Sequence, residues 1–296
     1  MRDDLPDRAL GWLVGGLIAL MRLLPVRVAS GLAGAVARTI GPWIGVSRMA
    51  RKQLRAAFPE KDDAWIEATL KGVWDNLGRV VGEYAQLDRL WDFDPDAVAA
   101  GRIIIGPHER MMFEHLRDDG QPALCFTAHL GNWELPAIAA ARHGLPSAVL
   151  YRMPNNPHVA ERIRRIREGL MGRLIRSRAV AAFELSAALG RGEHVGMLVD
   201  QHFSRGVDVT FFGRTCKANP TLARLARQVD CPVVGVRTIR LPGNRFRLEA
   251  TEPIELPRDA EGQIDIVAAT QRITDVVEGW VREHPDQWLW LHRRWR

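Results

Sequence analysis

The residues most suited to chemistry are His129 and Glu134, which lie in segment 127–134, TAHLGNWE. Imidazole can take a proton from a hydroxyl near neutral pH, because its pKa is ordinarily about 6.5. A neighbouring carboxylate can hold one tautomer of the ring and stabilise its protonated form. The pair therefore predicts a general base with a supporting acid, although a loop histidine followed by a first-turn glutamate has the same spacing.

The flanking sequence predicts how this segment is held. An apolar run at 123–126, bounded by Gly120 and Pro122, is typical of a buried strand, and the alanine-rich pattern at 135–142 indicates a helix. His129 then lies where a strand gives way to a helix, which is where open α/β sheets bind ligands. Gly131 would let the backbone approach a ligand closely.

Strand-like runs and helical patterns alternate over the rest of the chain from residue 101. This alternation predicts an α/β fold with a mixed, mainly parallel sheet flanked by helices on both faces. The predicted strands are 102–105, 123–127, 148–151, 194–199, 207–212, 233–239 and 246–250, and the predicted helices are 109–117, 132–142, 157–171, 184–189, 219–228 and 265–283.

The first hundred residues differ from this body. Residues 9–24 are almost entirely apolar, which favours an uncleaved membrane-anchor helix, and the basic residues that follow would place the remainder in the cytoplasm. An apolar helix docked on the domain is the alternative. We divide the chain into a membrane anchor and interfacial region at 1–45, a helical lead-in at 46–100 and a catalytic domain at 101–296.

Composition limits the class of protein further. The apolar content of 47% excludes a disordered chain, and the net charge of +6, carried mostly by arginine, suits phosphates, anionic lipids or nucleic acid. No nucleic-acid-binding motif is present in the sequence, so no such partner is expected. The three cysteines have no paired spacing, which indicates a reducing compartment.

Further polar residues follow the predicted strands. Asp200 and Gln201 come after the strand at 194–199, at the sheet edge where His129 is expected, although a turn-forming aspartate fits the same position. A basic tract follows the strand at 148–151; it is either a solvated helix face or a docking surface for acidic partners. The tract contains Arg152, Arg162, Arg164, Arg165 and Arg167.

Several blocks of the chain resemble one family in order. Segment 129–134, HLGNWE, resembles the His-x4-Asp/Glu signature of the lipid A late acyltransferases, the lauroyl and myristoyl transferases of lipopolysaccharide assembly. The ending at 288–295, WLWLHRRW, resembles that family's carboxyl end. The blocks between them also keep the family's order: YR at 151–152 through NP at 156–157, GRL at 172–174, VDQ at 199–201 and FFG at 211–213.

The resemblance implies a glycerolipid acyltransferase-like fold and transfer of a fatty acyl chain from acyl carrier protein to a hydroxyl of a phosphorylated lipid A precursor. It implies action at the cytoplasmic face of the inner membrane, in contact with its lipids, and no metal or organic cofactor. His129 would be the base and Glu134 its support.

The resemblance also implies that Arg173 and Asp200 are needed for activity, with Arg176 as a rival for Arg173. Backbone amides near Gly131 and Asn132, or an arginine, would stabilise the oxyanion. Arg152, Arg176 and Gln201 are further candidates for binding substrate.

Two other readings stay open at this point. One is a related enzyme that uses acyl-coenzyme A and acylates another glycolipid, such as a phosphatidylinositol mannoside. The other is a non-catalytic basic protein that only binds anionic lipid. The two acyltransferase hypotheses differ in the acyl donor, which is acyl carrier protein in one and coenzyme A in the other. Replacement of His129 would distinguish an enzyme from a non-catalytic protein, because simple lipid binding would not need this residue.

Overall fold

The computed structural model of the chain describes residues 5–97 and 101–296. Its first part is helical, and Pro25 separates the first two helices. The five helices of this part are α1 Leu5–Arg22, α2 Val26–Ile40, α3 Val46–Ala57, α4 Asp63–Tyr84 and α5 Leu87–Leu90.

Within the described ranges 5–97 and 101–296, no helix has both the length and the apolar character needed to cross a bilayer. The expected membrane-spanning anchor is therefore not found. The apolar stretch is interrupted at Pro25, and the guanidinium of Arg22 at the end of α1 is paired with Asp88 at 2.8 Å. Arg22 also donates a hydrogen bond to the carbonyl oxygen of Ala85, so the end of α1 is fixed to the body of the protein.

Helix α4 begins at a capped residue and packs closely on α2. The Asp62 side chain accepts a hydrogen bond from the amide of Trp65, which satisfies an otherwise unpaired N–H of the first turn. A Cβ at Gly78 would lie 2.4 Å from the carbonyl oxygen of Ala33 in α2, so only glycine permits this approach. The α2–α4 pair forms a rigid wall beside the sheet.

The predicted mixed, mainly parallel sheet is confirmed. Seven strands lie in the order β1-β9-β8-β2-β5-β3-β4, and only the β8–β9 pair is antiparallel. A separate antiparallel hairpin contains β6 and β7. The strands are β1 Ile103–Ile105, β2 Leu124–Thr127, β3 Ser147–Tyr151, β4 Arg173–Arg176, β5 His194–Leu198, β6 Val207–Phe211, β7 Arg214–Ala218, β8 Val233–Leu241 and β9 Arg245–Ala250.

Helices cover both faces of the sheet. They are α6 Pro107–Asp118, α7 Leu135–Arg142, α8 Pro157–Arg167, α9 Ala181–Leu189, α10 Thr221–Gln228 and α11 Ile266–Glu283. One hydrophobic cluster packs α9, α10 and α11 against β2 and β5, and it includes buried residues of α3 and α4. A second cluster packs α6 and α7 against β1 and β9. The site described next lies on the side of α6 and α7.

Candidate active site

His129 lies two residues beyond the end of β2 and is held by Asp200. Its Nδ1 is 2.8 Å from Oδ1 of Asp200, and its backbone amide donates to Oδ2 of the same carboxylate at 2.8 Å. The indole Nε1–H of Trp288 donates to Oδ2 at 2.7 Å. Three donors thus fix the carboxylate, and the carboxylate fixes the ring.

Strand pairing explains why these two residues meet. β2 and β5 are parallel neighbours, with Thr127 opposite Leu198. The chain continues two residues past each strand at the same edge, which brings His129 beside Asp200. The functional importance of Asp200 was expected from the family resemblance, and the structure places it in direct contact with the ring.

The Asp200 carboxylate is ionised and sets the tautomer of His129. Its side chain is fully buried, and burial acts to raise its pKa, but the charge of His129 and the hydrogen bonds from its ring and amide outweigh burial and hold the pKa well below its usual range. An ionised carboxylate accepts, so Nδ1 of His129 carries the proton and donates it. When His129 is neutral, Nε2 has the lone pair that can accept a proton, and the amide nitrogen of Gln201 lies 3.3 Å from this nitrogen.

Glu134 does not hold the histidine ring in the way the sequence led us to expect. Its carboxylate makes a two-point ion pair with Arg167 of α8, at 2.6 and 3.0 Å, and its side chain is only 5% exposed. Burial lowers the pKa of Arg167, but the Glu134 charge outweighs this and raises it. Glu134 is the first residue before α7, so the pair ties the start of α7 to the end of α8.

Beside these groups lies a cavity of about 750 Å³. His129, Trp133, Glu134 and Arg167 line one part of it, and the remaining lining is mostly apolar, from α6, α7 and one face of the sheet. The sheet residues form paired rows from the amino to the carboxyl ends of the strands: Ser147–His194, then Val149–Gly196–Cys125–Val234, then Thr127–Leu198.

The middle row of the cavity is apolar, whereas the innermost row, Ser147–His194, has two polar side chains. Burial raises the pKa of the Cys125 thiol to about 12, so this side chain is neutral and acts as a small apolar group. Burial also lowers the pKa of His194 at the inner end, which favours its uncharged form. The arrangement can hold a long apolar chain while the reacting end of that chain stays beside an imidazole base.

The structure separates the other predicted site residues into two groups. Arg152 and Gln201 line the cavity and are exposed at its mouth, where they can contact a substrate. Arg173 and Arg176 lie on the edge strand β4, outside the cavity lining, and Arg173 is paired with Glu193 at 3.1 Å. Arg167, which was expected only as one member of the basic tract, lines the cavity as Arg152 does.

Gly131 and Asn132 serve the architecture of the loop and do not line the cavity among the described residues. The Gly131 amide donates to the carbonyl oxygen of Gln287 at 3.1 Å, so it is not available to an oxyanion. Asn132 is fully buried; its side chain donates to Glu83 and accepts from the amide of Glu134. Their predicted roles in binding substrate are not supported by these contacts.

Trp288 is a contributor that the sequence did not reveal. Trp288 and Trp290 are both buried. The backbone amide of Leu289, between them, donates a hydrogen bond to the carbonyl oxygen of His129. The carboxyl-terminal segment therefore reaches the centre of the site. The closely spaced tryptophans near the end of the chain are visible in the sequence, but nothing in the sequence shows that Trp288 binds Asp200.

An α/β fold that holds a carboxylate-bound histidine beside a mostly apolar cavity has the parts needed for general-base chemistry next to an apolar ligand. The family model described as bacterial lipid A biosynthesis acyltransferase matches residues 2–296. The chain belongs to this family and is an acyltransferase, which confirms the family expected from the sequence. A relative is lipid A biosynthesis acyltransferase 2 of Shigella flexneri, 23% identical over 297 residues that cover 95% of this chain and 87% of the relative.

Proposed function

We propose that the protein transfers a fatty acyl chain from acyl carrier protein to a hydroxyl of a phosphorylated lipid A precursor, with His129 as the general base. The observation that carries this proposal is the His129–Asp200 pair at the mouth of an apolar cavity of about 750 Å³. Family membership supports a lipid A-like acceptor. The cavity supports a long acyl chain as the group that is moved.

The reaction follows from the tautomer of His129. Nε2 takes the proton of the acceptor hydroxyl as its oxygen attacks the thioester carbonyl, and Asp200 stabilises the imidazolium that forms. The tetrahedral intermediate then collapses, the carbon–sulfur bond breaks, and the imidazolium returns the proton to the leaving thiolate. Gln201 lies 3.3 Å from Nε2 at the exposed rim, where the acceptor hydroxyl can replace it.

Positive charge at the mouth supports the remaining roles. Arg167 lines the cavity with Glu134, and we assign to it stabilisation of negative charge that develops on the carbonyl oxygen. Arg152, exposed at the mouth, suits a phosphate of the acceptor or an acidic group of the carrier protein. Glu134 acts by holding Arg167 in place.

We place the enzyme at the cytoplasmic face of the inner membrane, attached by exposed apolar surfaces of α1 and α2. These side chains follow helical spacing, so each helix presents one apolar stripe to solvent, as interfacial helices do. Asn156 in the loop after β3 donates to the carbonyl oxygen of Asp7 at 3.0 Å, which keeps α1 close to the cavity mouth. The stripes are formed by Leu10, Leu13, Leu17 and Leu20 on α1 and by Val28, Leu32, Val36 and Ile40 on α2.

The test is acyl transfer by the purified protein and by His129→Ala, with acyl carrier protein or coenzyme A as the donor and a lipid A precursor as the acceptor. We expect transfer from the carrier protein, and a loss on the order of 10²- to 10⁴-fold in the variant with unchanged folding. Retained turnover in His129→Ala would refute the assignment of the base. Preference for coenzyme A with a phosphatidylinositol mannoside would favour the alternative glycolipid, and lipid binding without any turnover would favour a non-catalytic protein.

A further inference from the structure

A second cavity of about 710 Å³ lies between α1 and α8, apart from the cavity that contains His129. We call it the α1–α8 groove. Its lining includes Arg8 and Trp12 of α1 and His158, Arg162 and Arg165 of α8. Three of these five side chains are arginines, so the groove combines positive charge with an aromatic ring.

The groove exists because α1 carries glycine where α8 crosses it. A Cβ at Gly11 would lie 2.5 Å from Cβ of His158, and a Cβ at Gly15 would lie 2.4 Å from Cζ of Arg162. The guanidinium of Arg162 therefore lies directly across the surface of α1. Any larger residue at these positions of α1 would push the arginine out of the groove.

In the part of the groove formed by α8, the acidic side chain does not pair with Arg162. This carboxylate, Glu161, is bound by Arg164 and Arg165, each at 2.8 Å. Arg162 is half-buried, and within the described parts of the chain no carboxylate forms an ion pair with it. A partly buried guanidinium without an acidic partner is unfavourable, and a phosphate would relieve this cost through two parallel N–H···O bonds.

The surroundings of Arg162 identify the source of the phosphate. Trp12 and Leu13 of α1 are 78% and 70% exposed, and Leu20 is 60% exposed. Tryptophan and leucine at the surface of an amphipathic helix, beside arginine, are typical of residues at the boundary between headgroups and acyl chains. A guanidinium at this level meets the phosphates of the lipids on which the helix lies.

We propose that the α1–α8 groove binds the phosphate of an anionic phospholipid of the bilayer, with Arg162 as the principal ligand. The proposal rests on the interfacial placement of α1 given above. The proposal goes beyond membrane attachment by the apolar stripes, because it names a defined site for a lipid headgroup. Trp12 of α1 lines the same groove, and Arg165 beside Arg162 is paired with Glu161.

The test compares binding of the full-length protein to vesicles of phosphatidylcholine and to vesicles of phosphatidylcholine mixed equally with phosphatidylglycerol. Arg162→Gln is the variant; it removes the guanidinium that lies over Gly15 and leaves a shorter, uncharged polar side chain. Arg224→Gln is the matched control, since Arg224 is exposed on α10 and the same charge is lost. Arg162→Lys keeps the charge but cannot form two parallel bonds. Thermal unfolding of all three variants is measured alongside, to check that each one folds.

For Arg162→Gln we expect binding to the anionic vesicles to fall about tenfold or more, with an intermediate loss for Arg162→Lys and a change within about twofold for Arg224→Gln. Binding to phosphatidylcholine alone should change little in all variants, because the apolar stripes remain. Equal losses for Arg162→Gln and Arg224→Gln would refute a defined site, since they would indicate diffuse attraction.

A different outcome would identify the acceptor as the source of the phosphate. If Arg162→Gln bound anionic vesicles like the wild type but raised KM for a lipid A precursor in detergent, the proposal of a bilayer lipid would be overturned. The vesicles contain no acceptor and no donor, so the vesicle result stands whether or not the proposed acyl transfer is found. Wild-type acyl transfer in detergent tests that reaction separately.

Discussion

Replacing Gly196 by leucine should shorten the acyl chain that the enzyme transfers. Gly196 lies in the middle of β5 and lines the cavity, in the row that it shares with Cys125 and Val149. A Cβ at this position would meet only Cγ2 of Val149, at 3.9 Å, which is ordinary contact. A leucine side chain can therefore enter the cavity without displacing the backbone.

The size of the effect follows from strand geometry. The step from His194 at the inner end to Val199 at the outer end spans about 16 Å, at roughly 3.3 Å per residue. An extended hydrocarbon advances about 1.25 Å per bond, since a carbon–carbon bond of about 1.5 Å lies at an angle to the chain. The wild-type cavity therefore suits about 12 to 14 carbons. Gly196 lies two residues, or about 7 Å, from His194, so the leucine removes room for about five carbons.

The assay is kcat/KM for a series of saturated acyl donors from about 8 to about 16 carbons, measured for the wild type, Gly196→Leu and Gly279→Leu. Each excluded methylene forfeits about 0.8 kcal/mol of burial, so a chain of about 12 carbons should lose on the order of 10²-fold relative to one of about 8. Gly279 is exposed on α11 with open space around it, and its variant should keep the wild-type profile. A wild-type profile in a folded Gly196→Leu variant would show that the acyl chain does not pass this row.

Three further predictions concern the groups around the base. Trp288→Phe loses a 2.7 Å hydrogen bond to Asp200; such a bond to a charged group contributes about 1.5–3 kcal/mol, so kcat should fall tenfold or more with little change in KM, and an unchanged kcat would contradict the positioning role. Because the folded-state pKa of Asp200 is depressed, its stabilisation is fully present above the unfolded value of about 3.9 and is lost as pH falls towards the folded value. The urea-unfolding free energies of the wild type and Asp200→Asn should therefore differ by a constant amount above about pH 5 and converge below about pH 4; a gap that does not narrow in acid would argue against this linkage. Glu134→Gln leaves the Arg167 charge buried without its partner and should lower the free energy of unfolding by about 3 kcal/mol, measured in urea. The double variant Glu134→Gln/Arg167→Met should recover part of this loss. Additive losses would show that the two residues are not coupled.

The sequence predicted six of the seven strands of the sheet, including the edge strand β1. Strands such as β2 and β5 are continuous apolar runs because both faces are covered, and such runs are visible in a sequence. β4 and β7 were not predicted. In β4 two exposed arginines flank Leu174 and Ile175, and in β7 the polar Arg214, Thr215 and Lys217 are mixed with buried Cys216 and Ala218. β4 also lies at the sheet edge, where one side of the strand faces solvent.

Arg167 was visible in the sequence only as one member of a basic tract. Its neighbours Arg164 and Arg165 pair with Glu161 on the same helix, as a solvated helix face does. Arg167 lies two helical turns after Ala160, which is 2% exposed, and so it belongs to the inward face of α8. Helical spacing alone could therefore have predicted that Arg167 points inward. Its partner Glu134 is 33 residues away in the sequence, so the ion pair between them could be recognised only from the tertiary fold.

The supporting acid was misidentified for a related reason. Glu134 follows His129 closely in sequence, but Gly131 between them has a φ of +57°, and a Cβ there would lie 2.1 Å from the carbonyl oxygen of Thr238. The chain turns sharply at this glycine, and Glu134 then lies immediately before α7 and binds Arg167. Asp200 is 71 residues from His129, yet it is adjacent because Thr127 and Leu198, separated by the same interval, are paired in the sheet. Strand register therefore supplies the acid that holds the base, while the acid of the His-x4-Glu motif binds Arg167, which lines the same cavity. Moving β5 by one residue relative to β2 would remove Asp200 from the ring although the motif itself remained intact, so the motif alone is not sufficient to build the base.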